Sequence, residues 1–445
     1  MKTGIRRVAL VIACAVASVA WANKSSIGFK FEADHSDCLY KLGEEAVIVV
    51  TATNGAGEAV REGCCRVDID NFGGHRFSTI ANQDFSKENP FTVRGTMMEP
   101  GFLRVNISGE DPQGRYLGCW WGVGYEPEKI RPASARPVDF DVFWDTAIAK
   151  FEKEVPFDVT MVLDEQESKS SHDCYRLTFA TVPKGRVIRG TLTIPKGDGP
   201  WPIMMTVPGA GLGSWGFTRK KDRAFLTLNV VDYPCWPDKE KSSVEQLYAE
   251  QNKRWGAKTG PGTANWYFHG DLSRGREDFF YYGAILGINR GVDWVSVLPR
   301  IQPHSVWYYG QSQGGAFGIY LSALNKNIVR AGIGEPAITD LCGKLVDRRQ
   351  GGWPTLPEQY AGRPFYDNMM AILPYFDCVH FVPRIKVPTR WFVGFVDALC
   401  PPHAVWAGYN CLRTTDKRMQ NWPGLGHGTP SQLYQKAFKE WQESW

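Results

Sequence analysis

Five short apolar runs, PIMMTVPG, AFLTLNVVDYP, SVWYYG, VRAGIGEPA and TRWFVGFVD, follow one another between residues 202 and 397. A strand wetted on one face alternates apolar with polar residues; these runs do not, so they read as parallel strands buried on both faces. Between the second and third lies DFFYYGAILGINRGVDWVSVLP, in which Tyr281, Ala284, Ile285, Ile288, Val292 and Val295 recur at helical spacing. Strand–helix alternation of this kind predicts an α/β domain built on a parallel sheet. Ahead of it, DFDVFWDTAIAKFEKEV reads as a helix and CYRLTFATVPKGRVIRGTLTIPKG as two antiparallel strands.

The front of the chain has a different period. In EEAVIVVTATNGAG, CRVDIDNFGG and FTVRGTMMEPGFLRVNISG, β-branched residues end in Asn-Gly, Gly-Gly or Glu99-Pro100-Gly101 turns. Strands spaced about 8–12 residues apart predict a small all-β sandwich. The proline-bearing YEPEKIRPASARPVDF shows no period and reads as a linker. A length of 445 residues suits two domains. The expected layout is a signal peptide over 1–22, a β-sandwich over 23–128, a linker over 129–136 and the α/β domain over 137–445.

The signal peptide rests on Lys2, Arg6 and Arg7 ahead of the run VALVIACAVASVAWA, which closes on Ala20-Trp21-Ala22. The run is too short to span a bilayer, which takes about 20 apolar residues. The residues after Cys14 stay apolar instead of forming a lipoprotein tether, and Arg6-Arg7 lacks good twin-arginine flanks. Export, secreted or periplasmic, with no stable membrane insertion is the expectation. A formal charge of +4 with no basic stripe argues against nucleic acid. Apart from Cys14, ten cysteines remain, a number that permits disulfides in an exported chain without fixing their pairing. No C-x-x-C pair suggests structural zinc. Among 17 Trp, some suit the half-apolar faces of sugar rings.

Gly310-Gln311-Ser312-Gln313-Gly314 matches G-x-S-x-G. A chain of this composition gives about 0.3 such matches by chance, so position decides. The pentapeptide follows the strand SVWYYG and opens the helix QGGAFGIYLSALN, the setting of a nucleophile elbow. A serine nucleophile needs a base, and the base needs an orienting carboxylate. In α/β-hydrolases these follow the serine as acid, then histidine. Of His380, His403 and His427, the last lies in the Gly/Pro loop NWPGLGHGTP, between a short strand and the final helix, where a loop-borne base belongs. Asp397 ends TRWFVGFVD at the sheet's carboxyl edge, whereas its rival Asp377 precedes that strand. The reading is Ser312–Asp397–His427. The oxyanion hole would use the backbone N–H of Gln313 and, from the turn TVPGAGLG, that of Ala210.

From Arg136 onward these residues resemble the acetyl xylan esterase and cephalosporin-C deacetylase group, carbohydrate esterase family seven. The likeness runs through RPVDFDVFW, GTLTIPKG, the oxyanion turn, RGVDWVSVLP, the elbow GQSQGG and GFVDALCPPHAVWAGYN, roughly the last 310 residues. It implies an α/β-hydrolase fold, with the group's serine, aspartate and histidine on Ser312, Asp397 and His427 and its oxyanion donors on Ala210 and Gln313. It further implies a serine esterase that removes acetyl or another small acyl group from a carbohydrate, with neither metal nor cofactor. Members often form ring-shaped homo-oligomers, a state the extra β module would modify. Three positions depart from the group: Pro208-Gly209-Ala210 replaces His-Gly-Tyr, Val231-Asp232-Tyr233-Pro234 replaces an Arg-Gly-Gln segment, and Gly428 replaces a Glu after the histidine. A peptidase or longer-acyl hydrolase on the same scaffold, and a non-catalytic carbohydrate-binding protein, are the alternatives.

Overall fold

A computed structural model describes residues 25–72, 75–211, 216–231, 274–346, 351–428, 433, 436–437 and 439–441. The expected signal peptide, the Asp232-Tyr233-Pro234 segment and most of the final helix lie outside these residues.

The front of the chain forms two sheets. Strands β1 (Gly28–Ala33), β3 (Ala46–Thr53) and β6 (Phe91–Gly95) pair antiparallel in the order β1-β3-β6. The second sheet has the order β2-β8-β7-β4-β5, from β2 (Leu39–Tyr40), β4 (Cys64–Asp70), β5 (Arg76–Asp84), β7 (Gly101–Glu110) and β8 (Tyr116–Tyr125). Alternate residues point inward: Ala46, Ile48, Val50 and Ala52 from one sheet and Val105, Ile107 and Val123 from the other are fully buried in a shared core. The stretch after β8 carries little regular structure, yet it is tied down. The Ala133 N–H donates to Asp340 Oδ1 at 2.7 Å, and the Arg136 guanidinium donates to the carbonyl of His380.

Helix α1 (Phe140–Glu154) buries Phe140, Trp144, Ala147 and Phe151 along one stripe, as its spacing predicts. A nine-stranded sheet follows, in the order β17-β16-β15-β14-β12-β13-β11-β10-β9. The antiparallel end consists of β9 (Val159–Leu163), β10 (His172–Ala180) and β11 (Val187–Pro195). The sequence reading anticipated β10 and β11 but not β9, a strand half exposed and without strong alternation. The parallel part is built from β12 (Trp201–Thr206), β13 (Ala224–Leu228), β14 (Ile301–Gln311), β15 (Ile328–Gly334), β16 (Thr389–Gly394) and β17 (Lys417–Trp422). The five apolar runs supply β12 to β16. Helix α2 (Phe280–Val295) lies against the sheet, held at its start by Arg186. That fully buried guanidinium donates to the carbonyls of Phe280 and Val230 at 2.7 and 2.9 Å. Helix α3 (Gln313–Leu324) is buried through Ser322, which explains why its sequence is apolar on every side.

No disulfide joins Cys38, Cys64, Cys65, Cys174, Cys342, Cys378, Cys400 or Cys411 in the structure. No helix among the described residues is long and apolar enough to cross a membrane.

Candidate active site

Ser312 stands between β14 and α3 with φ 55° and ψ −123°, a left-handed backbone that β-branched or bulky residues avoid. The turn can be this sharp because its flanks are glycine. A methyl group on Gly314 would meet the carbonyl oxygen of Val207 at 2.1 Å, and one on Gly310 would meet that of Gly314 at 2.5 Å. The Ser312 N–H donates to the Gly334 carbonyl at 3.0 Å, fixing the turn against β15. This is the nucleophile-elbow geometry the motif predicts.

Asp397 lies three residues beyond the end of β16: the strand TRWFVGFVD stops short of it at Gly394, and a short turn carries the carboxylate. Asp397 is fully buried, and its Oδ1 accepts from the N–H groups of Leu399 and Cys400 at 2.8 and 2.9 Å. Its other oxygen, Oδ2, lies 2.9 Å from His427 Nδ1, and His427 Nε2 lies 3.1 Å from Ser312 Oγ. With the proton on Nδ1, the imidazole donates to the carboxylate and accepts from the serine hydroxyl. The acid turn and the histidine loop are also bonded to each other, the Phe395 N–H to the Trp422 carbonyl and the Val396 N–H to the Leu425 carbonyl.

Burial disfavours a charged His427, but the Asp397 carboxylate bonded to its Nδ1 opposes this, and its proton affinity stands above that of a free imidazole. Burial pushes the Cys400 thiol up to about 11, so it is a neutral thiol near pH 7.

The rival residues stand elsewhere. Asp377 is buried and spends its carboxylate on the N–H groups of Asp340, Leu341 and Val379, with burial and Asp340 raising it to about 7. Its role is to cap and knit a buried turn. His380 meets the Ser134 hydroxyl at 3.1 Å, and burial lowers it to about 4. His403 packs edge-on against Phe72 of the front module.

Ser312 and His427 open into a cleft of about 710 Å³ whose wall includes Tyr309, Phe217, Thr218 and Glu335. The Gln313 side chain is buried behind the elbow. It accepts from the Tyr281 hydroxyl at 2.9 Å and donates to the carbonyls of Pro208 and Gly209 at 3.3 and 3.4 Å, which ties the elbow to the turn carrying Ala210. Glu335 was missed by the sequence reading. It follows β15 directly, is buried, lines the cleft and accepts from the Gly428 N–H at 3.3 Å. Its signal was an acidic residue at the carboxyl end of a central parallel strand, the same edge that presents Ser312.

Comparison with known proteins shows what the chain as a whole is similar to. A family model for acetyl xylan esterases matches residues 126–444. The acetyl esterase Axe7A of Xylanibacter ruminicola is 26% identical over 409 residues, spanning 90% of this chain and 86% of that one. That alignment is longer than the stretch 126–444 and so reaches into the front module. Two solved acetyl xylan esterases share the fold. The one from Paenibacillus sp. R4 has a TM-score of 0.57 at 20% identity and covers 72% of this chain and 98% of its own. For the one from Thermoanaerobacterium sp. JW/SL YS485 the values are 0.59, 20%, 71% and 96%.

Proposed function

The chain belongs to the acetyl xylan esterase family and is a carboxylic ester hydrolase of α/β-hydrolase fold, and from that premise we propose that it is an exported serine esterase removing acetyl groups from xylan or related polysaccharides and their oligomers. The observation that carries this reading is the hydrogen-bonded series Ser312–His427–Asp397, of which Ser312 and His427 line the cleft. Ser312 Oγ attacks the ester carbonyl while His427 Nε2 takes its proton, and Asp397 stabilises the imidazolium that forms. The N–H groups of Gln313 and Ala210 receive the oxyanion. Collapse of the tetrahedral intermediate expels the sugar hydroxyl, protonated by His427, and leaves an acyl-enzyme. Water, deprotonated by the same imidazole, then releases acetate.

The substrate assignment is supported by what the relatives are named for and by a cleft open enough for a sugar. Export is supported by the basic, then apolar, Ala20-Trp21-Ala22 start. The test is acetate release from acetylated xylan, acetylated mannan and acetylated glucosides by the purified chain and its Ser312→Ala variant. The expected result is release from acetylated xylan that falls by about 10⁵-fold or more in the variant. Preference for long acyl chains, or cleavage of peptides, overturns the substrate; unchanged turnover in the variant overturns the nucleophile.

A further inference from the structure

Beside the Asp397–His427 pair the structure gathers a third group that ester hydrolysis does not use. Cys400 is fully buried, and its backbone N–H donates to Asp397 Oδ1, so the turn that fixes the carboxylate also delivers the thiol to it. One ligand atom from each of Asp397, Cys400 and His427 lies within 4.8 Å of the other two. Around a tetrahedral zinc, with bonds of about 2.3 Å to sulfur and about 2.0–2.2 Å to nitrogen and oxygen, such atoms sit about 3.5 Å apart. Closing the site therefore takes a movement of about 1 Å by side chains. A thiolate, an imidazole and a carboxylate form a ligand set that selects soft or borderline dications over Mg²⁺ or Ca²⁺. Two anionic ligands neutralise a dication, which lowers the cost of holding it in a buried place. The two backbone N–H groups on Oδ1 pre-orient the carboxylate and leave Oδ2 to the metal, as outer hydrogen bonds do in zinc sites.

We propose that Asp397, Cys400 and His427 form an inhibitory site for Zn²⁺ or Cd²⁺, through which the cation switches the esterase off. On binding, the Cys400 S–H bond gives way to a sulfur–metal bond and the proton leaves to solvent. The cation takes the place of the Nδ1 proton between His427 and Asp397. That proton moves to Nε2, which then cannot accept from Ser312. Water completes the coordination. The inhibition rests on the proposed role of His427, but the binding does not.

The test uses the full chain, titrated with Co²⁺ as a coloured stand-in and with Zn²⁺. The expected result is a near-ultraviolet thiolate-to-Co²⁺ absorption band that persists in Ser312→Ala and is lost in Cys400→Ser. Zn²⁺ should inhibit reversibly, with relief by EDTA. Its half-inhibiting concentration should rise about tenfold or more in Cys400→Ser, each protein being referred to its own metal-free rate. Should Cys400→Ser fold poorly, thermal unfolding decides instead: Zn²⁺ raises the wild-type Tm and leaves that of Cys400→Ala unmoved. Absence of the band from the wild type, or equal inhibition of wild type and variant, overturns the site. Persistence of the band while Ser312→Ala still turns over overturns the catalytic reading and leaves the metal site standing.

Discussion

At the scale of single residues, the proposed mechanism puts the pH behaviour on His427. In that mechanism its neutral form accepts the serine proton, and its proton affinity is raised, with Asp397 among the causes. The sign follows: kcat/KM rises with pH as the imidazolium loses its proton, with a midpoint above the ordinary imidazole value of about 6.5. Asp397→Asn removes the anion, so the midpoint moves to lower pH while kcat falls by about 10⁴-fold. A pH–rate profile of the variant that superimposes on the wild type's would leave Asp397 no such role. Ser312, Asp397 and His427 were legible in the sequence because each sits shortly after a strand or in a Gly/Pro loop with its own local signature. Glu335 was not, since a lone acidic residue after a strand looks like any other until the His427 loop folds onto it. The thiol of Cys400 was equally silent, because its meaning lies in a turn bringing Cys400 back onto Asp397.

At the scale of elements, the elbow shows why context outweighed the motif. Strand β14 and helix α3 meet at an angle that only small flanking residues permit, and the Gln313 side chain fastens that junction to the turn after β12. Gly314→Ala sets a methyl group 2.1 Å from the Val207 oxygen, a contact that must be relieved by moving backbone. The predicted cost is about 1–3 kcal/mol of stability, read by denaturant unfolding, together with loss of most esterase activity. Wild-type stability and rate in this variant would contradict the packing. The buried parallel strands were readable from their unbroken apolar runs. Their order was not, because the exchange of β12 and β13 depends on crossovers that leave no periodic trace in sequence.

Across the whole molecule, the front module is packed against the loops that carry Asp397 and His427. The Gly122 N–H of β8 donates to the Pro423 carbonyl at 3.0 Å, and Phe102 of β7 meets Phe395 with ring centroids 4.9 Å apart. Pro423 lies four residues before His427 and Phe395 two before Asp397, so one sheet braces both loops. The sandwich itself was legible from its alternation and turns, whereas its docking was not, because the contact is made by an aromatic pair and backbone groups. Phe102→Ala should lower stability by about 3–5 kcal/mol and, assayed well below its Tm, reduce kcat more than it raises KM. Unaltered kcat in a folded variant would separate the module from catalysis. The central claim, that Ser312 accepts the acyl group, is tested most directly by rapid-quench mass mapping after mixing with p-nitrophenyl acetate. Acylation of Ser312 leaves one acetyl group on the peptide bearing Ser312, with a matching nitrophenolate burst, and neither in Ser312→Ala; acetyl on another residue, or a burst that survives the substitution, would contradict it.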